Sequence, residues 1–230
     1  MIRMLSIAVV LGALPACGGG GGGTPDAAAA QVTFTGEMID WDSDHGAAFC
    51  GVYNVSLAQH DNAANTDKTA PNGRMVMMVP DNASVRIDVT PPPGASECAT
   101  TVGLYQLPGI IITGKGQLDS GKDNSFRMIG MNRIPTWFSQ FGLTYDAAKA
   151  IIFVHVEGTP VAVKSSAASD TAIAGTEAQW AAGSTGQNVV FPNAAVGTSA
   201  ISLDGVTALN AQTVPTVAGT ITYITLVNPN

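Results

Sequence analysis

The densest run of ligand-type side chains is Asp40-Trp41-Asp42-Ser43-Asp44-His45-Gly46, with carboxylates at alternate positions. Calcium loops place oxygen ligands at this spacing, so Asp40, Asp42 and Asp44 are the candidate calcium ligands. An EF-hand would need Gly at its sixth position and Glu at its twelfth. Counted from Asp40, those positions hold His45 and Gly51. What remains is either a calcium-binding turn of another kind or a solvated acidic loop. The histidines His45, His60 and His155 lack the paired spacing of a metal-binding helix. His155 lies in an apolar run and reads as a hydrogen-bonded structural group. His45 and His60 sit in polar stretches and would join an acidic site only if their loops converged. Trp41 and Trp180 are the candidate sugar-stacking rings, with loop or core packing as the competing and favoured role. Neither the Gly-x-Ser-x-Gly elbow nor Ser-x-x-Lys occurs. Gly18 to Gly23 is no phosphate loop, because no Lys-Ser/Thr follows it. The chain reads as non-enzymatic, with no cofactor beyond the calcium candidate.

Composition narrows the class. The 230 residues are 46% apolar, enough for a core, but only 12% charged, about half the usual share. Their surface must therefore rest on Ser, Thr, Asn, Gln and Gly, which suits exported β-proteins. Net charge is −7, and Lys and Arg are scattered singly. Phosphate contacts need clustered cations, so nucleic acid is an unsuitable partner, and so is a polybasic membrane-binding role.

The N-terminus carries an address. Arg3 supplies a positive start, and Met4 to Leu14 is an apolar run too short to span a bilayer. It ends at Leu14-Pro15-Ala16-Cys17, which resembles the lipobox of bacterial lipoproteins, with Pro15 the less usual choice. The resemblance implies that residues 1–16 are a signal peptide and that the Cys17 thiol receives a diacylglycerol, often with further acylation such as palmitate. Gly18 after the Cys, in place of Asp, favours the outer membrane or cell surface by that family's rule. Residues 17–31 then read as the lipidated Cys and a Gly/Ala-rich tether spanning roughly 20 Å. Two or three acyl chains would anchor the domain stably where one would not.

With Cys17 set aside, Cys50 and Cys98 form an even pair in an oxidising compartment, and a disulfide is expected. In the chain-entropy model that closure is worth ~4 kcal/mol.

The elements that must position these residues are short strands punctuated by Gly and Pro. Gln31 to Ile39 alternates, with Val32 and Phe34 inward. Gly51 to Leu57 places Tyr53, Val55 and Leu57 on one face. His60 to Thr69 reads as a polar stretch. Asn72-Gly73 is a turn, Arg74 to Val79 a strand, and Val85, Ile87 and Val89 alternate in the next. The segments Thr35-Gly36-Glu37-Met38-Ile39, Thr69-Ala70-Pro71-Asn72-Gly73-Arg74-Met75 and Val79-Pro80 resemble the carboxypeptidase regulatory-like, or transthyretin-like, β-sandwich over about residues 32–113. That family lacks catalytic residues of its own, so none are implied.

Residues 132–150 form the helical candidate, with Pro135 in the first turn, Trp137, Phe138 and Phe141 on one side and Gly142 as a stop. Beyond it, Ile151 to Val156 is an apolar strand, a small-residue loop runs to Thr185, and Ile221 to Leu226 closes the chain. Gly186 to Leu203 repeats the order Gly, apolar strand, Pro turn, alternating strand seen from Gly73 to Val89. Phe191, Asn193 and Gly197 resemble the closing hairpin of the same family. The expected organisation is all-β: two transthyretin-like or Ig-like antiparallel sandwiches, residues 32–131 and 151–230, with a short helical connection. The expected role is a lipid-anchored protein of the cell envelope, structural, adhesive or binding, facing an envelope protein or a glycan. The alternatives are a carbohydrate-binding module and an accessory subunit of an envelope enzyme complex.

Overall fold

A computed structural model describes residues 30–43, 49–81, 84–94, 104–113, 124–176, 179–210 and 212–230. In chain order the strands are β1 (Gln31–Asp40), β2 (Ser56–Gln59), β3 (Asn62–Lys68), β4 (Arg74–Pro80), β5 (Arg86–Thr90), β6 (Gly109–Ile112) and β7 (Ser125–Met128). After helix α1 (Arg133–Gln140) come β8 (Ala150–Glu157), β9 (Val163–Ser165), β10 (Ile173–Thr176), β11 (Gln179–Ala182), β12 (Asn188–Ala194), β13 (Gly197–Leu203), β14 (Gln212–Thr216) and β15 (Ile221–Val227). The all-β sandwich architecture expected from the sequence is observed.

One nine-stranded sheet, β11-β10-β12-β8-β15-β6-β5-β2-β3, runs through both halves of the chain. Each half adds one three-stranded sheet, β4-β1-β7 from the first and β14-β13-β9 from the second. The two small sheets cover opposite faces of the large one, because side chains alternate across a strand. Ile151 and Phe153 of β8 and Ile221 and Tyr223 of β15 pack with Phe34, Met38, Met75, Met77 and the α1 residues Ile134, Trp137 and Phe138. Ile152, Val154 and Val156, with Ile224 and Leu226, pack instead with Val163, Ile201, Leu203 and Val214. The two sandwiches thus share their middle layer. The last strand β15 completes it by inserting between β6 and β8, parallel to both. Strands buried on both faces read as near-continuous apolar runs, which explains Ala150–Val156 and Ile221–Val227. The one imidazole in β8, His155, is buried and hydrogen-bonded through Nδ1 to Asn188 Oδ1 at 2.9 Å, the structural role its apolar setting implied.

Several local expectations are corrected. Residues 53–54 form a turn with Asn54 at φ 62, so Tyr53 is exposed while Val55 and Leu57 point inward, and the strand begins at Ser56. The Thr69 hydroxyl holds that turn, donating to Val52 O at 2.6 Å and accepting from Val55 N at 2.9 Å. The polar stretch after His60 is strand β3, which lacks an apolar face because it is an exposed edge. Small residues before Thr185 form β10 and β11. The helix stops at Gln140, with Phe141 as its C-cap and Gly142 at φ 70. The repeated Gly-strand-Pro-strand order marks passage between layers, since β4 and β5 lie in different sheets and so do β12 and β13.

The Asn72-Gly73 turn is observed, with Gly73 at φ 78. A β-carbon there would lie 2.2 Å from Met38 O, so glycine is required by both conformation and space.

The free edge of β4 is closed by side chains of β3. Asp67 Oδ2 accepts from Val76 N at 2.7 Å, and Asn65 Nδ2 donates to Met78 O at 2.6 Å. Alternate residues of β3 thereby bond alternate residues of β4 and join the rim of the large sheet to that of the small one. Unpaired edge amides and carbonyls invite association, and this arrangement occupies two of them. Asp67→Ala is expected to cost about 1–2 kcal/mol in urea denaturation and to increase self-association on size-exclusion chromatography. An unchanged midpoint would show that the rim bonds are dispensable.

Candidate functional site

The acidic loop follows β1. Asp40 is buried, its Oδ1 accepts from Asp42 N at 3.0 Å, and its Oδ2 accepts from the Tyr105 hydroxyl. Burial pushes the Asp40 carboxyl above the usual carboxylate range, against the opposing bonds from Tyr105 and the Asp42 amide. Asp42 points outward to α1, where Arg133 grips both its oxygens at 2.7 and 3.0 Å. The buried Arg127 of β7 ties the same loop by donating from Nη1 to Trp41 O at 3.0 Å and to Ser43 O. Asp40 and Asp42 thus serve separate partners, and a calcium ion would have to displace Arg133 from Asp42. Asp44 and His45 lie outside the described residues, as do Cys17 and Cys98. Cys50 closes the loop, donating its amide to Ser43 Oγ at 2.7 Å. His60 lies apart from this loop, on Asp88 at 2.7 Å. Among the described residues no group of three or more His, Cys, Asp or Glu is placed to hold a metal.

The three tryptophans, distant in sequence, meet in one cluster. Trp41 stacks on Trp180 with centroids 5.6 Å apart, and Trp137 meets Trp41 edge-on at 5.0 Å. Trp41 is 1% exposed, so it offers no ring face to a sugar, and Trp180 is half-buried against it. Trp41 thus takes the packing role favoured over sugar stacking, and its rings are core. The indole N–H groups of all three are buried without an acceptor among the described residues. Each orphaned donor costs about 1–3 kcal/mol, which edge-to-face contacts of about 0.5–1.5 kcal/mol and the burial of large rings offset.

An open groove lies elsewhere among the described residues. A groove of about 630 Å³ is lined by Thr144, Tyr145, Asp146, Lys149, Ser169, Asp170 and Asn193, with Ala147 and Ala168. Its key residue is Asn193, which sits where the pairing of β12 with β8 slips between Phe191 and Ala194. Pro192 removes an amide from this central strand, and such a residue is tolerated there only at a bulge. Asn193 takes φ 48, left-handed for a residue with a β-carbon. Its side chain bonds two loops at once. Oδ1 accepts from Asp146 N at 3.0 Å, while Nδ2 donates to Thr144 O at 2.8 Å and to Asp170 Oδ2 at 2.7 Å. Backbone bonds from Asp170 N to Pro192 O and from Ala195 N to Ala168 O dock the second loop on the bulge. Bulges commonly re-aim side chains beside functional sites, and an unfavourable backbone angle held by three bonds fits that use. Asp146 is fixed again by an Asx turn, its Oδ1 accepting from Ala148 N at 2.9 Å. The Tyr145 ring meets Phe138 of α1 edge-on at 5.4 Å, and burial, with the Asp146 charge beside it, raises its hydroxyl above the ordinary value.

Of this groove the sequence singles out only Asn193. Tyr145 and Asp146 fall in the expected helical segment and Asp170 in a featureless small-residue loop, so no motif links them. The usable signal is Phe191-Pro192-Asn193, a proline and a turn-forming residue inside an apolar strand.

No protein-family model matches this chain, and no curated protein matches it. Among solved structures it is similar to the Bacillus anthracis TIE protein, at 8% identity and TM-score 0.27, covering 85% of this chain and 33% of that one. A streptococcal ancillary pilin matches at 11% identity and TM-score 0.25, over 86% of this chain and 69% of that one. A shaft pilin of Lactobacillus rhamnosus GG matches at 9% and 0.25, over 87% and 98%. This chain therefore spans about a third of the length of the TIE protein chain, and likeness this low transfers no function.

Two outcomes are expected. Asn193→Ala should cost about 1–3 kcal/mol in urea denaturation, and Asn193→Gly less, because glycine relieves the left-handed backbone while losing the same bonds. Equal costs would show that the backbone angle carries no strain. For Asp40, a folded-state affinity for protons above the unfolded one means that protonation adds stability as pH falls toward the ordinary value of 3.8. The melting temperature of Asp40→Asn minus that of the parent should therefore decrease from pH 7 to pH 4. A constant difference would show that burial of the charge is without consequence.

Proposed function

We propose that this chain is an exported, lipid-anchored, non-catalytic binding protein of the cell envelope. It would be held by Cys17 at the outer membrane or cell surface and would present the Asn193 groove to its partner. The observation that carries the binding role is the groove itself. Asn193 braces two of its loops against the bulge, so the walls are set before a ligand arrives, and rigid walls lower the cost of binding. The described candidates Asp40, Asp42 and His60 are turned to structural use instead: Asp42 on Arg133, His60 on Asp88, and Asp40 on Tyr105. Support for the anchor comes from Leu14-Pro15-Ala16-Cys17 and from the glycine run that follows, which gives a tethered domain its reach.

Within this reading Cys50 pairs with Cys98. The pairing follows from the cysteine count, since Cys98 is the cysteine left to Cys50 once Cys17 carries lipid. Kinship with carboxypeptidase regulatory-like sandwiches is supported by the Asn72-Gly73-Arg74 turn, in which Asn72 Oδ1 accepts from Arg74 N at 3.2 Å.

The test is made in cells. Mass spectrometry of the mature N-terminus should find Cys17 first and carrying a diacylglycerol. Cys17→Ser should leave the membrane fraction. A Cys17→Ser protein that stayed wholly membrane-bound would overturn the anchor.

A further inference from the structure

The groove around Asn193 has a chemistry that narrows its ligand. Asp146 and Asp170 each spend one carboxylate oxygen on the protein, through Ala148 N and Asn193 Nδ2 respectively. The second oxygen of each remains to accept from a ligand. Lys149 and Ser169 add an ammonium and a hydroxyl to the same lining. Two carboxylates against one ammonium leave the site net negative, which disfavours phosphate, sulfate or carboxylate ligands. The apolar lining is one aromatic ring and two alanines, Tyr145, Ala147 and Ala168, too little to hold an aliphatic side chain by burial. Tyr145 is half-buried and steadied by Phe138. A ring steadied in this way suits the C–H face of a pyranose, while paired acceptors and donors around it suit vicinal hydroxyls.

We propose that this groove binds a neutral oligosaccharide, with Tyr145 as the stacking ring, Asp146 and Asp170 accepting from sugar hydroxyls, and Lys149 donating to them. Asn193 is the positioning residue, since its amide is already engaged on both sides of the groove. The proposal rests on the binding-protein reading above and gives it a ligand class. It also moves sugar recognition away from Trp41 and Trp180, whose rings cover each other.

The test is isothermal titration of the full-length chain with hexasaccharides of β-1,4-glucose, β-1,4-mannose and β-1,4-N-acetylglucosamine, with heparin hexasaccharide and calcium chloride as contrasts. At least one neutral sugar should saturate. Tyr145→Ala and Lys149→Ala should each weaken it tenfold or more, Lys149→Ala with unchanged melting temperature, and Trp180→Phe should leave it within twofold. Lys149→Ala guards against misfolding, because no intramolecular bond of its side chain is lost. A parallel readout is tryptophan emission, since Tyr145, Phe138 and Trp137 are in consecutive ring contact. Saturation by heparin or calcium alone, no heat with any neutral sugar, or binding indifferent to both Tyr145 and Lys149 would overturn the proposal. Because the Cys17→Ser fractionation is read separately, a failed titration leaves the anchor standing.

Discussion

Burial of one sheet on both faces is the constraint from which the rest of the architecture follows. All seven residues of β15 are buried, as are the first seven of β8. In such strands every amide and carbonyl must find a ladder partner, because no water reaches them. β15 meets that demand by lying between β6 and β8, so the C-terminal strand joins the two halves of the chain. Its Ile, Val and Leu side chains then contribute about 1.5–3 kcal/mol each on full burial, alternately to one core and the other. Two outer sheets, and α1 on one side, are the covers those two apolar faces require.

Polar residues in this fold act mainly where the layers end. On one rim, Asn65 and Asp67 bond the free edge of β4. Beside β1, Arg127 is buried and spends its guanidinium on the carbonyls of the loop that carries Asp40 and Asp42. The Tyr223 hydroxyl donates to Arg127 O at 2.8 Å, linking the central strand to the same corner. Beside β12, Asn193 braces the loops of the groove. Asp67 and Arg127 are charged side chains spent on backbone groups at such junctions.

The aromatic residues connect these regions. Trp180, Trp41, Trp137, Phe138 and Tyr145 follow one another in ring contact from β11 to the groove. This run covers one end of the first core and ends at the wall of the groove. The three tryptophans therefore act as a packed support behind the groove, and Tyr145 is the member of the run that lines it.

By itself the sequence determined the strand-rich class, the apolar runs of the central strands, the Asn72-Gly73 turn, the stop at Gly142 and the structural place of His155. These are local properties: periodicity, turn chemistry and left-handed glycine positions act over a few residues. β3 and β11 escaped because an exposed edge strand needs no apolar alternation. Only the tertiary structure decided that two sandwiches share a sheet, because the pairing of β15 with β6 joins residues more than a hundred positions apart. It likewise decided that Asp40 and Asp42 turn to different partners and that the tryptophans converge inward. The groove is the clearest case: Tyr145, Asp170 and Asn193 form no motif, and only the bulge in β12 and the loops it holds bring them together.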